Sequence, residues 1–215
     1  MPIKYYTTRS FLLKFKLIHL LLLLCVYQSG NSQENWSLSL RSGPSLSKRP
    51  FGSIHLKNGI GIQGTIFYKL KSNLSLYSGL EWNKFGSDKL YLNKQMVLQE
   101  TGINAGVRYT EYIGKSNLKY LFGGGILYNH VQFEHSENDI RQDKTFGLGW
   151  SAEAGIVLPC GKHFSLSPTA RYHSLRTNFT QGGATAVTEL YYASIYMELI
   201  YHFSEQYTRK DNMKQ

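Results

Sequence analysis

From Trp36 onward, apolar and polar residues alternate one by one along most of the chain. In Gly149 to Pro159, GWSAEAGIVLP, one set is Trp150, Ala152, Ala154, Ile156 and Leu158. The other is Gly149, Ser151, Glu153, Gly155 and Val157, small residues around a single carboxylate. A period of two marks a strand whose two faces meet different surroundings. The alternation predicts eight strands: Trp36–Leu46, Ile60–Leu70, Leu74–Phe85, Leu98–Ile113, Leu118–Val131, Phe146–Leu158, Phe164–Asn178 and Val187–Phe203. No helical period separates them and no linker divides them, so the 215 residues hold one domain.

The connections alternate in length. Lys71-Ser72-Asn73, Gly114–Asn117 and Cys160–His163 read as tight turns rich in Gly, Ser and Asn. Longer polar loops are expected near 47–59, 86–97, 132–145 and 179–186, although LYLNKQMV (Leu90 to Val97) could extend the fourth strand. Short turns at one end and long loops at the other describe an all-β, eight-stranded antiparallel up-and-down barrel. Closure pairs the first strand with the last.

Alternation alone does not say which face is inside. A soluble lipocalin-like barrel turns its apolar face inward, and a transmembrane barrel turns it outward. A polar face meeting water should be dense in Lys and Glu. Here it is sparse: Gly147, Gly149, Ser151, Glu153 and Gly155 on one strand, then Ser165, Ser167, Thr169, Arg171 and His173 on the next. The opposite face is broad and aromatic, as in Tyr191, Ala193, Ile195, Met197, Leu199, Tyr201 and Phe203. Small residues with isolated charges suit a narrow lumen, so the apolar face is assigned to lipid. An outer band from Trp150 to Leu158 runs about 26 Å along a strand and about 19 Å upright at a tilt of about 45°.

That assignment gives Glu153 company. A turn centred on Lys162 sets Glu153 opposite Arg171, and the same parity places Arg41, Glu81, Arg108 and Glu198 in the lumen at similar height. Three Glu and three Arg in one layer are expected to form a structural charge network, with Gln63, Asn104 and Ser194 completing its hydrogen bonds. Gly123 to Gly125 is expected to make room for Arg108 across the strand pair. Eight strands enclose only enough space for side chains, so no open pore is expected. On the outside, Tyr68, Phe164, Tyr201 and Phe203 are assigned to a turn-side aromatic girdle, and Trp82, Tyr128, Trp150 and Tyr191 to a loop-side one.

The amino terminus adds an address. Lys4, Arg9, Lys14 and Lys16 precede LIHLLLLLCV (Leu17 to Val26), followed by QSGNS, the order of a secretory signal peptide. The apolar run is short of the roughly 20 residues of a spanning helix. Leu24 stands where a lipoprotein signal needs a small residue before Cys25. The expected organisation is a signal peptide over 1–32, the barrel over 33–203 and a polar tail over 204–215. Cleavage removes Cys25 and leaves Cys160 without an intramolecular partner. It also removes four of the 24 basic residues, so 20 remain against 14 acidic ones, a net charge of +6. With no run of like charges, nucleic acid is not indicated as a partner.

A signal peptide, eight alternating strands, a charged lumen and a last strand ending in LIYHF (Leu199 to Phe203) resemble the small outer-membrane β-barrels of the OmpA-barrel and PorT-like type. The resemblance implies the outer membrane of a Gram-negative bacterium, with Phe203 as the terminal aromatic read by the assembly machinery. Partners implied are outer-membrane lipid, lipopolysaccharide, that machinery and other envelope proteins. The implied role is structural, surface-binding or accessory to secretion or assembly. The tail after Phe203 departs from members that stop at the aromatic.

Catalytic and cofactor patterns are not found. Outer-membrane lipid A deacylases use a Ser-His-Glu arrangement, and the nearest candidate for this alternative class is ARYHSLRTN (Ala170 to Asn178). His173 and Ser174 are adjacent on a strand and so face opposite ways, which separates base from nucleophile. His55, His130, His135, His163, His173 and His202 lack metal-ligand spacing, and Gly123 to Gly125 is not followed by a phosphate-loop helix. Neither an enzyme nor a cofactor is expected. Lys48, Arg49 and Lys57 on the loops are candidates for contact with lipopolysaccharide phosphates.

Overall fold

The computed structural model describes residues 35–47, 55–91, 94–135, 142–181 and 184–204. Its eight strands are β1 (Trp36–Ser47), β2 (Leu56–Lys71), β3 (Leu74–Tyr91), β4 (Lys94–Tyr112), β5 (Lys119–His135), β6 (Gln142–Pro159), β7 (Phe164–Gln181) and β8 (Ala184–His202). Each pairs with its sequence neighbour, and β1 pairs with β8, giving a closed antiparallel barrel. The turn joining β6 and β7 holds the expected register, with Glu153 opposite Arg171 and Leu158 opposite Leu166. The leader 1–32, Lys48 and Arg49, and the tail beyond Ser204 lie outside the described residues.

Much of the stretches 86–97 and 179–186, expected as long loops, is strand, and the alternative that Leu90 to Val97 extends the fourth strand holds for Lys94 to Val97. Leu90 pairs with Gln95, Tyr91 with Lys94, and Gln181 with Ala184, so both ribbons are paired up to the edge of the described residues. The physical reason is that polar residues pair their backbones as readily as apolar ones. Where polar and small residues interrupt the alternation, the period-two contrast that marks a strand disappears.

The faces are inverted relative to a soluble barrel. Outward Leu80, Ile126 and Leu148 are each 69% exposed, whereas inward Arg41 is 1% and Glu198 0% exposed. The lumen is not uniformly polar, however. Toward the loop end, inward Leu56, Phe85, Leu98, Leu127, Val131, Leu175 and Leu190 form a buried apolar cluster with Tyr192. Toward the turn end, inward Phe67, Leu121, Val157 and Ile200 are also buried. The charges lie between these apolar layers.

Candidate functional site

The candidate site is that sandwiched polar layer. Each strand delivers its charge to the same height because period two fixes the face and the turns fix the stagger. Arg41 on β1, Glu81 on β3, Arg108 on β4, Glu153 on β6, Arg171 on β7 and Glu198 on β8 are all buried. The expectation that Glu153 pairs with Arg171, its register neighbour, is corrected by the contacts. Glu153 Oε2 accepts from Arg41 Nη1 at 2.7 Å, and Glu153 Oε1 accepts from Arg108 Nε and Nη2 at 2.8 Å each. Arg108 Nη1 donates to Glu198 Oε2 at 3.0 Å. Arg171 reaches Glu81 Oε2 at 3.3 Å, donates to Ser151 Oγ at 2.7 Å and bonds Gln63 Oε1.

None of these bridges joins paired strands: Arg108 and Glu153 reach over β5, and two others cross the lumen. β7 meets β3 and β4 meets β8, strands on opposite walls of an eight-strand ring. Side chains on neighbouring strands project side by side, so a long guanidinium finds its carboxylate across a narrow interior. Gly123 lies between Arg108 and Glu153 in register. A Cβ built there would come within 2.8 Å of Glu153 Oε1, so the glycine makes space for the pair. Arg108 also lies over the Phe67 ring at 4.3 Å and Arg41 over the Tyr196 ring at 5.1 Å, which sets each cation against an aromatic face.

Gln63 bonds Arg41 from Oε1 at 2.9 Å and donates through Nε2 to Asn104 and Thr65. Asn104 donates to Glu81 at 2.9 Å. Ser194 contacts Ser45 at 2.8 Å, and Ser39 donates to Glu198 at 2.7 Å.

Sequence reasoning missed the upper part of the layer. Glu100 on β4 is fully buried; Asn129 Nδ2 donates to its Oε1 at 2.5 Å and to Glu81 Oε1 at 2.6 Å, while Tyr192 OH donates to its Oε2 at 2.7 Å. Asn83 ties Tyr192 to Tyr196. Four carboxylates thus face three guanidiniums among the described luminal residues. Glu100 shares the parity of Asn104 and Arg108, and that parity was the available signal. His173 stacks on Tyr192 at 4.4 Å, and neither of its ring nitrogens has a hydrogen-bond partner among the described residues.

Outside, the assigned girdle residues fall into aromatic contacts. On the turn side Tyr68 meets Trp36 at 4.8 Å, and Tyr201 meets Phe164 and Phe203 at 5.2 and 5.3 Å. On the loop side Tyr128 stacks on Phe146, Tyr172 bridges Trp150 and Tyr191, and Trp82 Nε1 donates to Gln99 at 3.4 Å. Trp36, Phe146 and Tyr172 are additions to the expected girdles. Ser174 faces out, opposite Trp150 and Tyr191, while His173 faces the lumen. Among the described residues no group of three or more His, Cys, Asp or Glu is placed to hold a metal.

A closed eight-stranded antiparallel barrel with an apolar exterior is the fold of the small outer-membrane barrels. Neisserial surface protein A matches with a TM-score of 0.50 and 13% identity, over 78% of this chain and 96% of that one. The outer membrane protein OprG from Pseudomonas aeruginosa matches with a TM-score of 0.51 and 10% identity, over 80% and 98%. At these identities the likeness is one of fold. No protein-family model and no curated protein matches the sequence.

Proposed function

We propose that the chain is an integral outer-membrane protein of a Gram-negative bacterium, exported by a cleaved signal peptide, with a plugged, non-conducting lumen and no catalytic activity. The observation that carries the reading is the interior itself: Arg41, Arg171, His173, Leu127 and Leu175 are buried to 1% exposure or less. Charges bridged across the lumen and capped by apolar side chains leave the outer face and the loop end as the working surface. The role that fits is structural, surface-binding or accessory to secretion or assembly, as a PorT-like barrel implies. Its partners are outer-membrane lipid and lipopolysaccharide, the assembly machinery that reads Phe203, and envelope proteins. The separation of His173 from Ser174 supports a non-enzymatic reading over a lipid A deacylase.

Three measurements test it. The protein should fractionate with the outer membrane and migrate in a heat-modifiable way in detergent; a protein soluble in the periplasm without detergent overturns the proposal. Planar bilayers should show no porin-like conductance. Mass spectrometry of lipid A from deletion and wild-type cells should show the same acyl chains, and a changed pattern favours the enzyme.

A further inference from the structure

On the loop side, the β2–β3 ribbon carries a bulge. Leu56 pairs with Ser87 and Gly59 with Phe85, so Lys57 and Asn58 together stand opposite the single residue Gly86. Phe85 and Ser87 are buried in the lumen, which turns Gly86 to the outer face. A Cβ built on Gly86 would meet Lys57 Cβ at 3.7 Å and Lys57 Cδ at 3.9 Å, so the stem of Lys57 lies over that glycine on the outside of the barrel. Parity with Gln63, Gly61 and Gly59 would otherwise send Lys57 into the lumen. Two residues set against one re-aim it, a recognised use of such irregularities.

Lys84 stands on the same face. It lies two residues before Gly86 on β3 and pairs with outward Ile60 on one side and Gln99 on the other. Positions two apart on a strand are about 7 Å apart, a gap that two lysine side chains close, so one phosphate fits within reach of both ammonium groups. Toward the membrane, the next outward residue of β3 is Trp82 of the loop-side girdle, whose Nε1 donates to Gln99 at 3.4 Å. Ile60 and Ile62, 49% and 43% exposed, run beside it on β2. Down the ribbon the order is two cations, then an aromatic ring and branched aliphatics.

We propose that this ribbon holds lipid A, the phosphorylated anchor of lipopolysaccharide, with a phosphate between Lys57 and Lys84 and an acyl chain laid over Ile60, Ile62 and Trp82. The inference rests on the membrane-spanning reading above, in which the loop side meets the outer leaflet, and gives its lipopolysaccharide partner a place. A lipid with phosphate set directly above its acyl chains matches that order of side chains. Free phosphate leaves the apolar part unused, and a zwitterionic lipid brings its own counter-charge to the lysines. Arg176, outward on β7 and loop-ward of Trp150, gives its guanidinium to Glu189 at 2.7 Å and supplies the contrast on another wall.

The refolded full chain is first floated with vesicles of neutral phosphatidylcholine; failure to float overturns the membrane reading itself. Folded protein in neutral detergent is then given equal amounts of diphosphoryl lipid A, phosphatidylglycerol and phosphatidylethanolamine, and retained lipid is read by native mass spectrometry. Wild type should retain one lipid A preferentially. Lysines near an anionic surface contribute a factor of about five each, so Lys57→Gln/Lys84→Gln should lose roughly twentyfold in lipid A retained. Arg176→Gln should keep it. Heat-modifiable migration verifies that each variant is folded. Equal retention of phosphatidylglycerol and lipid A by wild type, undiminished retention in the lysine variant, or the same loss in Arg176→Gln overturns the site. Displacement of the lipid by inorganic phosphate alone reassigns it to a free anion and overturns the lipid proposal.

Discussion

Glu153 stands directly opposite Arg171 in the β6–β7 register and gives its carboxylate to Arg41 and Arg108 instead. Removing one partner of a buried pair leaves the other charge uncompensated, at a cost of about 3–5 kcal/mol. Glu153→Gln should therefore destabilise the barrel strongly, read as the urea midpoint of refolded protein in detergent. A double-mutant cycle should give a coupling of about 1–3 kcal/mol for Glu153 with Arg108, and a smaller one with Arg171. A larger coupling to Arg171 contradicts these contacts.

Glu100 should behave differently from the other luminal carboxylates. Its hydrogen-bond partners are the neutral Asn129 and Tyr192, and among the described residues the layer holds one carboxylate more than it has guanidiniums. Glu100→Gln keeps a planar group of the same shape and removes a buried charge. Its stability should stay within about 1 kcal/mol of wild type, whereas Glu81→Gln, which takes a partner from Arg171, should cost about 3 kcal/mol. The same urea titration ranks the two.

His173 carries two buried ring nitrogens without partners among the described residues, stacked on Tyr192. An unsatisfied buried polar group costs about 1–3 kcal/mol, so an aromatic of similar shape should recover part of it. His173→Phe is expected to raise the unfolding midpoint. A fall of comparable size shows that the imidazole is bonded in the folded protein.

The apolar layer near the loops should matter as much as the charges. Leu127 is 1% exposed within the cluster of Phe85, Leu98 and Leu175. Leu127→Ala should cost about 2–5 kcal/mol through lost burial and a residual cavity. The outward Ile126→Ala, at 69% exposure on the lipid-side face, should cost much less in detergent.

Strand number, order, closure, the outward face and the height of the six charges were legible in the sequence, because period two and turn composition report them directly. The pairing of those charges was not. Parity tells which face a side chain occupies and the turn tells its height, but neither reports which guanidinium bends across the ring to which wall. The apolar layer at the loop end was hidden for a related reason. Where Leu127 faces in and Ile126 faces out, both sets are greasy and the contrast that reveals a lumen is lost. Glu100 sits at the edge of that stretch, between inward Leu98 and Gly102. The prolonged hairpins after Phe85 and Asn178 were hidden because their mixed residues, GSDKLY and FTQ, interrupt the regular alternation.

The crossing bridges also bear on how such a barrel comes into being. Arg41 arrives with the first strand and Glu198 with the last, yet their ionic partners, Glu153 and Arg108, lie on β6 and β4. While the sheet is still open, Arg41 and Glu198 stand apart from those partners and remain hydrated. Only when the seam between β1 and β8 shuts do the opposite walls come within reach, and water leaves as the apolar layers meet above and below. Arg108 and Glu153, with only β5 between them, can meet in an open sheet, whereas Arg41–Glu153 and Arg108–Glu198 join strands that only closure brings together. Sealing is thereby made an abrupt final event, with the interior acting as a latch that engages when the last edge finds the first.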